Sequence, residues 1–169
     1  MCELYAINSR RPVRANEHLR LFYQDSVQHP HGWGLSWREE GRVFLHKEEL
    51  RAIDSSYLSH VLDGPIRSTN VVAHIRNATM GTLAYNNCHP FVRTDLSGRA
   101  WAIAHNGTII DTRLIDGYQA LAAGDTDSEQ VVIYLVDQMD ELIEFIETYD
   151  NNYTKITGQI VGNVYGDEN

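Results

Sequence analysis

The sequence predicts an α+β fold. Segments of strand and helix character are interspersed along the 169 residues, at least one pair of strands has the spacing of a hairpin, and a single long amphipathic helix follows them. A simple parallel β-α-β repeat would lack the hairpin, so a layered mixed arrangement is favoured. The length suits one domain able to bury a sizeable core. The apolar fraction of 43% is ordinary for a globular chain, and there is no low-complexity tract or solenoid-length repeat.

Residues 3–8 (ELYAIN) read as a strand that begins at once, which ties down the terminus. Residues 16–27 place Leu19, Phe22, Tyr23 and Val27 at helical spacing, with Asn16 as the expected N-cap. QHPHG then reads as a turn. WGLSWR (33–38) and RVFLHK (42–47) flank a short EEG connection and predict a hairpin. Residues 54–63 predict a short helix closed by Gly64 and Pro65. NVVAHIR (70–76) and RAWAIAH (99–105) predict strands, the second running into Asn106-Gly107. The long helix starts at TDSEQ, where Thr126 and Glu129 have capping-box spacing. Val132, Leu135, Val136, Met139, Leu142, Ile143 and Ile146 form its apolar stripe. Past Tyr149 the chain turns polar and gives no clear element.

The 14 Lys and Arg are outnumbered by 23 Asp and Glu, for a net charge of −9. That argues against a general nucleic-acid surface, where a basic stripe is expected. The acidic residues Asp137, Asp140, Glu141, Glu144 and Glu147 read as the solvated face of the long helix. No apolar run reaches the roughly 20 residues that cross a bilayer, and the first residues lack a basic-then-apolar leader pattern. The expectation is a soluble cytoplasmic protein with no membrane partner and with Cys2 and Cys88 as reduced thiols.

Five features bear on chemistry. By position alone Cys2 reads as a small residue entering a strand. Once Met1 is removed, however, it carries a free α-amine beside its thiol, and that amine can serve as the base that activates the sulfur. Asn106-Gly107 is a strong turn signal, and it also offers a side-chain amide and a glycine N–H as two neutral donors to an oxyanion. Arg76, ending VVAHIR, is either a surface ion-pair partner or a fork for a carboxylate. Asp127 opens the long helix, where an anion is favoured in any case, and it is also a candidate partner for a substrate ammonium. His29, His31, His74, His89, His105 and Cys88 raise the question of a metal, but none of them falls at a ligand spacing such as HxxxH or CxxC, so no metal is assigned.

In this order the motifs MCELYAI, HGWGLSW, VVAHIRNATMG, NCHPF, AHNGTI and GDTDSE resemble the class II glutamine amidotransferases, members of the N-terminal nucleophile hydrolases. The likeness spans about residues 2–136 and is nearest to the small stand-alone type. It implies a four-layer αββα sandwich with Cys2 as nucleophile on the first strand, attacking the side-chain amide of glutamine to release glutamate and ammonia. It also implies Asn106 and Gly107 as the oxyanion hole, Arg76 and Thr79 on the substrate α-carboxylate side, Asp127 on the α-ammonium, and His89 in a substrate-side loop without a proton-transfer role. No cofactor is implied. The partner is glutamine or another γ-glutamyl small molecule, with a synthase or a second copy of the chain as the protein partner.

Members of this type usually run past 200 residues. Residues 1–169 are therefore expected to be a single amidotransferase domain from which the usual C-terminal part is missing. A retained Met1 would acylate the Cys2 amine and remove the base. Two alternatives stay open beside the glutaminase reading: a hydrolase of a different γ-glutamyl amide, and a non-catalytic binding or assembly subunit.

Overall fold

The computed structural model describes residues 2–79 and 81–149. Met1, whose removal the sequence reading requires, and the polar stretch past Tyr149 lie outside the described residues. Within them stand two antiparallel sheets and three α-helices. The larger sheet has four strands in the order β1-β4-β2-β3: β1 (Glu3–Arg14), β2 (Trp33–Glu39), β3 (Arg42–Glu48) and β4 (Arg67–Ile75). The smaller pairs β5 (Phe91–Thr94) with β6 (Ala100–Ile103). The helices are α1 (Asn16–Phe22), α2 (Ser56–Asp63) and α3 (Asp127–Tyr149). This agrees with the predicted α+β class.

Strand β1 extends six residues past the predicted end, through Pro12. It is an edge strand, where a residue without an N–H is tolerated, and the pairing with β4 is irregular between Asn8 and Val13. The β2–β3 connection is a two-residue turn in which Glu40 and Gly41 both have positive φ (49° and 79°), the conformation whose twist matches a hairpin.

The predicted helix 16–27 divides into α1 and a tighter 3-10 turn over Tyr23–Val27, which leaves Val27 exposed. Asn16 is not its cap. It lies inside the first turn, buried, where its amide donates to the Leu62 and Gly64 carbonyls (2.9 and 2.7 Å) and accepts from Ile66 N–H (3.0 Å). That bond set ties α1 to the end of α2. Helix α2 is capped by Ser55, whose hydroxyl accepts from Leu58 N–H at 2.8 Å.

The capping box of α3 is half formed. Thr126 accepts weakly from Glu129 N–H (3.4 Å), while the Glu129 carboxylate turns to Ala123 and Gly124 N–H (3.1 and 2.7 Å). Strand β5 has no counterpart in the sequence reading, whereas β6 forms the middle of the strand predicted over 99–105.

Alternation along the strands sends two different sets of side chains to the two faces of the larger sheet. On one face Trp33, Leu35, Val71, Ala73 and Ile75 pack with Leu19, Leu58 and Leu62 of the helices in one apolar cluster. On the other face lies the cross-strand row Leu4–His74–Gly34–Lys47. The chain leading into β5 presses on this face. A Cβ on Gly34 would lie 1.9 Å from the His89 carbonyl oxygen, so only glycine fits there.

Candidate active site

Antiparallel pairing brings the start of β1, the end of β4 and the start of β2 to one end of the sheet, through the row Glu3–Ile75–Trp33. Cys2, Arg76 and the His31-Gly32 segment each lie one step beyond that row. The Cys2 thiol is half-buried. It accepts from Asn77 N–H at 3.3 Å and lies 3.5 Å from the Asn77 carbonyl, to which it can donate. The backbone just past Arg76 is thus the immediate neighbour of the sulfur.

Arg76 is buried behind this contact. Its Nη1 donates to the Thr82 carbonyl at 2.8 Å. The same carbonyl accepts from Asn87 Nδ2 at 2.9 Å, and Asn87 also donates to the Asp125 carboxylate. Asp125 further accepts from Thr82 N–H at 3.2 Å. Desolvation would raise the Asp125 carboxyl, but the bonds from Thr82 and Asn87 outweigh it and hold the group below the usual carboxylate range. Gly81 sits where these parts meet, because a Cβ there would lie 2.8 Å from Asp125 Oδ1 and 3.4 Å from Arg76 Nη2. Its φ of +76° suits glycine as well. Arginine and the residues leading into α3 therefore face each other across residues 81 and 82. Thr79 is exposed in the same loop.

Asn106 follows β6, and its Nδ2 donates to the Cys2 carbonyl at 2.6 Å. The two ends of the predicted constellation thus touch directly, although one donor of the amide is engaged by the backbone of Cys2 itself. Gly107 packs against the His105 ring, which would have to shift to admit a Cβ there (2.7 Å from Nε2). Two residues on, Ile109 N–H donates to Asp127 Oδ2 at 2.6 Å, and Ser128 Oγ lies 3.2 Å from Asp127 Oδ1. Asp127 thus fastens the loop after Asn106-Gly107 to the first turn of α3.

His89 is buried. Its ring lies 4.4 Å from that of His74 and 4.8 Å from that of Phe91, and its Nδ1 accepts from His105 N–H at 3.4 Å. It stands under the Asn106 loop and backs the site from below. Burial, reinforced by His105 and Arg76, lowers its pKa to about 4. Burial, reinforced by His89 and Arg76, brings that of His74 to about 2, and neither nitrogen of His74 has a hydrogen-bond partner among the described residues. Cys88, the other thiol, is enclosed, and burial pushes it up to about 11. Nearby Lys47 is buried over the Tyr85 and Phe91 rings (4.9 and 5.1 Å) and donates to the Cys88 carbonyl at 3.0 Å. Among the described residues no group of His, Cys, Asp and Glu side chains is arranged to hold a metal ion.

The sequence reading did not single out Asn77, Thr82, Asn87 or Asp125. For Asp125 a signal existed, since it sits two residues before Asp127 in the same GDTD turn. Asn77 acts through its main chain, which leaves no trace in residue type.

The assembled end of the sheet offers a thiol, a guanidinium, two carboxylates and neutral amide donors. Residues 1–161 match the family model of the class II glutamine amidotransferases. An uncharacterized protein of Methanocaldococcus jannaschii is 37% identical over 143 residues, covering 83% of this chain and 39% of that protein. An amidophosphoribosyltransferase of the same organism is 32% identical over 165 residues, covering 94% of this chain and 34% of the enzyme. A crystal structure of a predicted glutamine amidotransferase from Pseudomonas aeruginosa superimposes with a TM-score of 0.51 at 25% identity, covering 80% of this chain and 54% of that one. The chain therefore spans from about a third to just over half of the length of these relatives. No helix among the described residues is long and apolar enough to cross a membrane.

Proposed function

The chain belongs to the class II glutamine amidotransferases, and from that premise we propose that it hydrolyses the side-chain amide of glutamine with Cys2 as the nucleophile, as a glutaminase or as the ammonia-releasing part of an amidotransferase. The observation that carries this is the contact between Asn106 Nδ2 and the Cys2 carbonyl. It unites residues 104 positions apart and supports a role for the Asn106 amide next to the residue read as nucleophile.

The steps follow from the groups present. With Met1 removed, the Cys2 α-amine takes the thiol proton, directly or through water, and the sulfur adds to the δ-carbonyl carbon of glutamine. Asn106 Nδ2 and Gly107 N–H receive the oxyanion; each such donor is worth roughly 3–4 kcal/mol in comparable sites. The protonated amine gives its proton to the departing ammonia. Water then cleaves the thioester, releasing glutamate and restoring the thiol.

Arg76, beside Thr79, receives the α-carboxylate, and Asp127 receives the α-ammonium. Opposite charges at fixed positions select an amino acid zwitterion and orient its amide. Asp127 now accepts from Ile109 N–H, and an ammonium joins that carboxylate through its remaining lone pairs. His89 supports the substrate-side wall from below. In this reading residues 1–169 belong to one amidotransferase domain of four αββα layers that acts in the cytoplasm, with a synthase or a second copy as partner.

The test uses protein whose mass verifies loss of Met1, supplied with glutamine. Glutamate release is expected from this protein and not from Cys2→Ala. Equal release from both would reject the reading. A panel of γ-glutamyl amides run alongside tests the substrate, and a strong preference for one of them over glutamine would move the assignment to that amide.

A further inference from the structure

The QHPHG turn is not used by the chemistry above, yet it touches the nucleophile's surroundings on both sides. We propose that His31 is a positioning residue whose ring Nδ1, as a neutral acceptor, holds the Arg76–Ala78 backbone against the Cys2 thiol.

The β2–β4 ladder continues one step beyond the strands: Arg76 N–H donates to the Gly32 carbonyl at 2.8 Å, and His31 N–H donates to the Arg76 carbonyl at 3.1 Å. There the main-chain ladder stops. The next contact is made by a side chain, with Ala78 N–H donating to His31 Nδ1 at 2.9 Å. Asn77 lies between these fastenings, and its N–H and carbonyl are the groups that face Cys2 Sγ. Releasing Ala78 frees one side of the Asn77 peptide. The sulfur then loses its fixed neighbour.

The anchor itself is held. Gly32 has φ +130°, and a Cβ there would lie 2.5 Å from Cys88 Sγ and 2.9 Å from the Glu48 carbonyl oxygen, so the turn sits tightly on buried structure. Two residues earlier, His29 Nε2 lies 3.2 Å from Glu3 Oε1. One short turn thereby grips the residue after Cys2 with one imidazole and the loop beside Cys2 with the other.

The chemistry required of His31 is narrow. Nδ1 can accept only when it carries no proton, so the ring must be the neutral Nε2–H tautomer. Asparagine places an acceptor oxygen near the position of Nδ1, whereas leucine fills similar space with none.

This inference rests on Cys2 being the reacting group, but it can be measured separately. Full-length wild type, His31→Asn and His31→Leu, each lacking Met1, are compared by amide hydrogen exchange at Ala78 and by glutamate release. His31→Leu is expected to speed Ala78 exchange and slow glutamate release, each on the order of tenfold for a lost hydrogen bond, and His31→Asn to restore both. Unchanged values in His31→Leu, or an Asn variant as impaired as the Leu variant, overturn the proposal. Imidazole ¹⁵N NMR on wild type tests it without mutation, since a proton found on His31 Nδ1 at neutral pH also overturns it. If wild type releases no glutamate while Ala78 exchange still follows the acceptor, the glutaminase reading fails and the positioning role stands.

Discussion

The two faces of the four-stranded sheet are built to different rules. The face toward α1 and α2 is apolar and closed, with Trp33, Leu35, Val71, Ala73 and Ile75 each fully enclosed. The opposite face carries His74, Gly34 and Lys47 in one row, with Leu4 at its edge still 43% exposed. The first face stabilises the fold by removing apolar surface from water. The second holds buried polar groups whose ionisation is costly there. It is also the face on which the chain carrying His89 lies, and so the face that supports the Asn106 loop. Stability and chemistry are thus divided between two sides of the same backbone.

The largest effect that separates the faces is expected from Trp33→Ala. Trp33 is fully buried, lies edge-on to Tyr23 (5.9 Å) and donates to Glu48 Oε2 at 3.2 Å. Its truncation is expected to cost about 4 kcal/mol in a urea titration. A loss under about 1 kcal/mol would mean that this face is not the stability core.

Acid is expected to act on the other face. His89 titrates at about 4 in the folded chain against 6.5 for the free group, so the unfolded chain takes up the proton first. Stability should therefore be full above pH 6.5 and fall as pH drops toward 4, by about 3 kcal/mol from His89. His74 adds to the fall over the same range and carries it to lower pH. Urea midpoints at pH 7 and pH 4.5 check this, and equal midpoints would show that these histidines are not shielded.

The smallest effect is expected from His74→Leu. Both ring nitrogens are buried with no hydrogen-bond partner among the described residues, so an apolar replacement of similar size loses no hydrogen bond to them. A change within about 1 kcal/mol at pH 7, with a weaker acid response, is the expected outcome. A loss of several kcal/mol would reveal a bond made through water and would bring the two faces closer in kind.

The difference between the faces also explains what could be read from residue types. The apolar content of WGLSW and NVVAHI, and the stripe on the long helix, are one-dimensional traces of burial, and β2, β4 and α3 stand close to where they are predicted. Leu135 departs from the stripe at 44% exposed, because the helix turns Ile133 inward instead. The strand predicted over residues 3–8 runs on through Pro12 to Arg14, which an edge strand tolerates. Asn16 looks like a cap by type, and only the nearness of α2 gives its amide better partners.

At the site, the sequence singles out side chains with unusual chemistry, and the fold gathers Cys2, Arg76 and Asn106 at one end. It does not show which peptide groups lie beside them. Asn77 N–H on the sulfur and Ala78 N–H on His31 are of this kind, since every residue but proline carries the same donor. His31 stands in the predicted QHPHG turn with no ligand spacing to mark it, and its residue type alone does not show the bond it accepts from Ala78 N–H.

The bond between Asn106 and Cys2 has a further consequence for the order in which the protein is made. Strand β1 is made before its partner β4, which starts more than sixty residues further along the chain, and the amide that meets Cys2 comes later still. Such non-local pairing is slow to form. A nascent chain therefore carries the thiol without the surroundings that orient it. The contact between residues 2 and 106 forms only when that span has closed, so it reports that the intervening chain is folded.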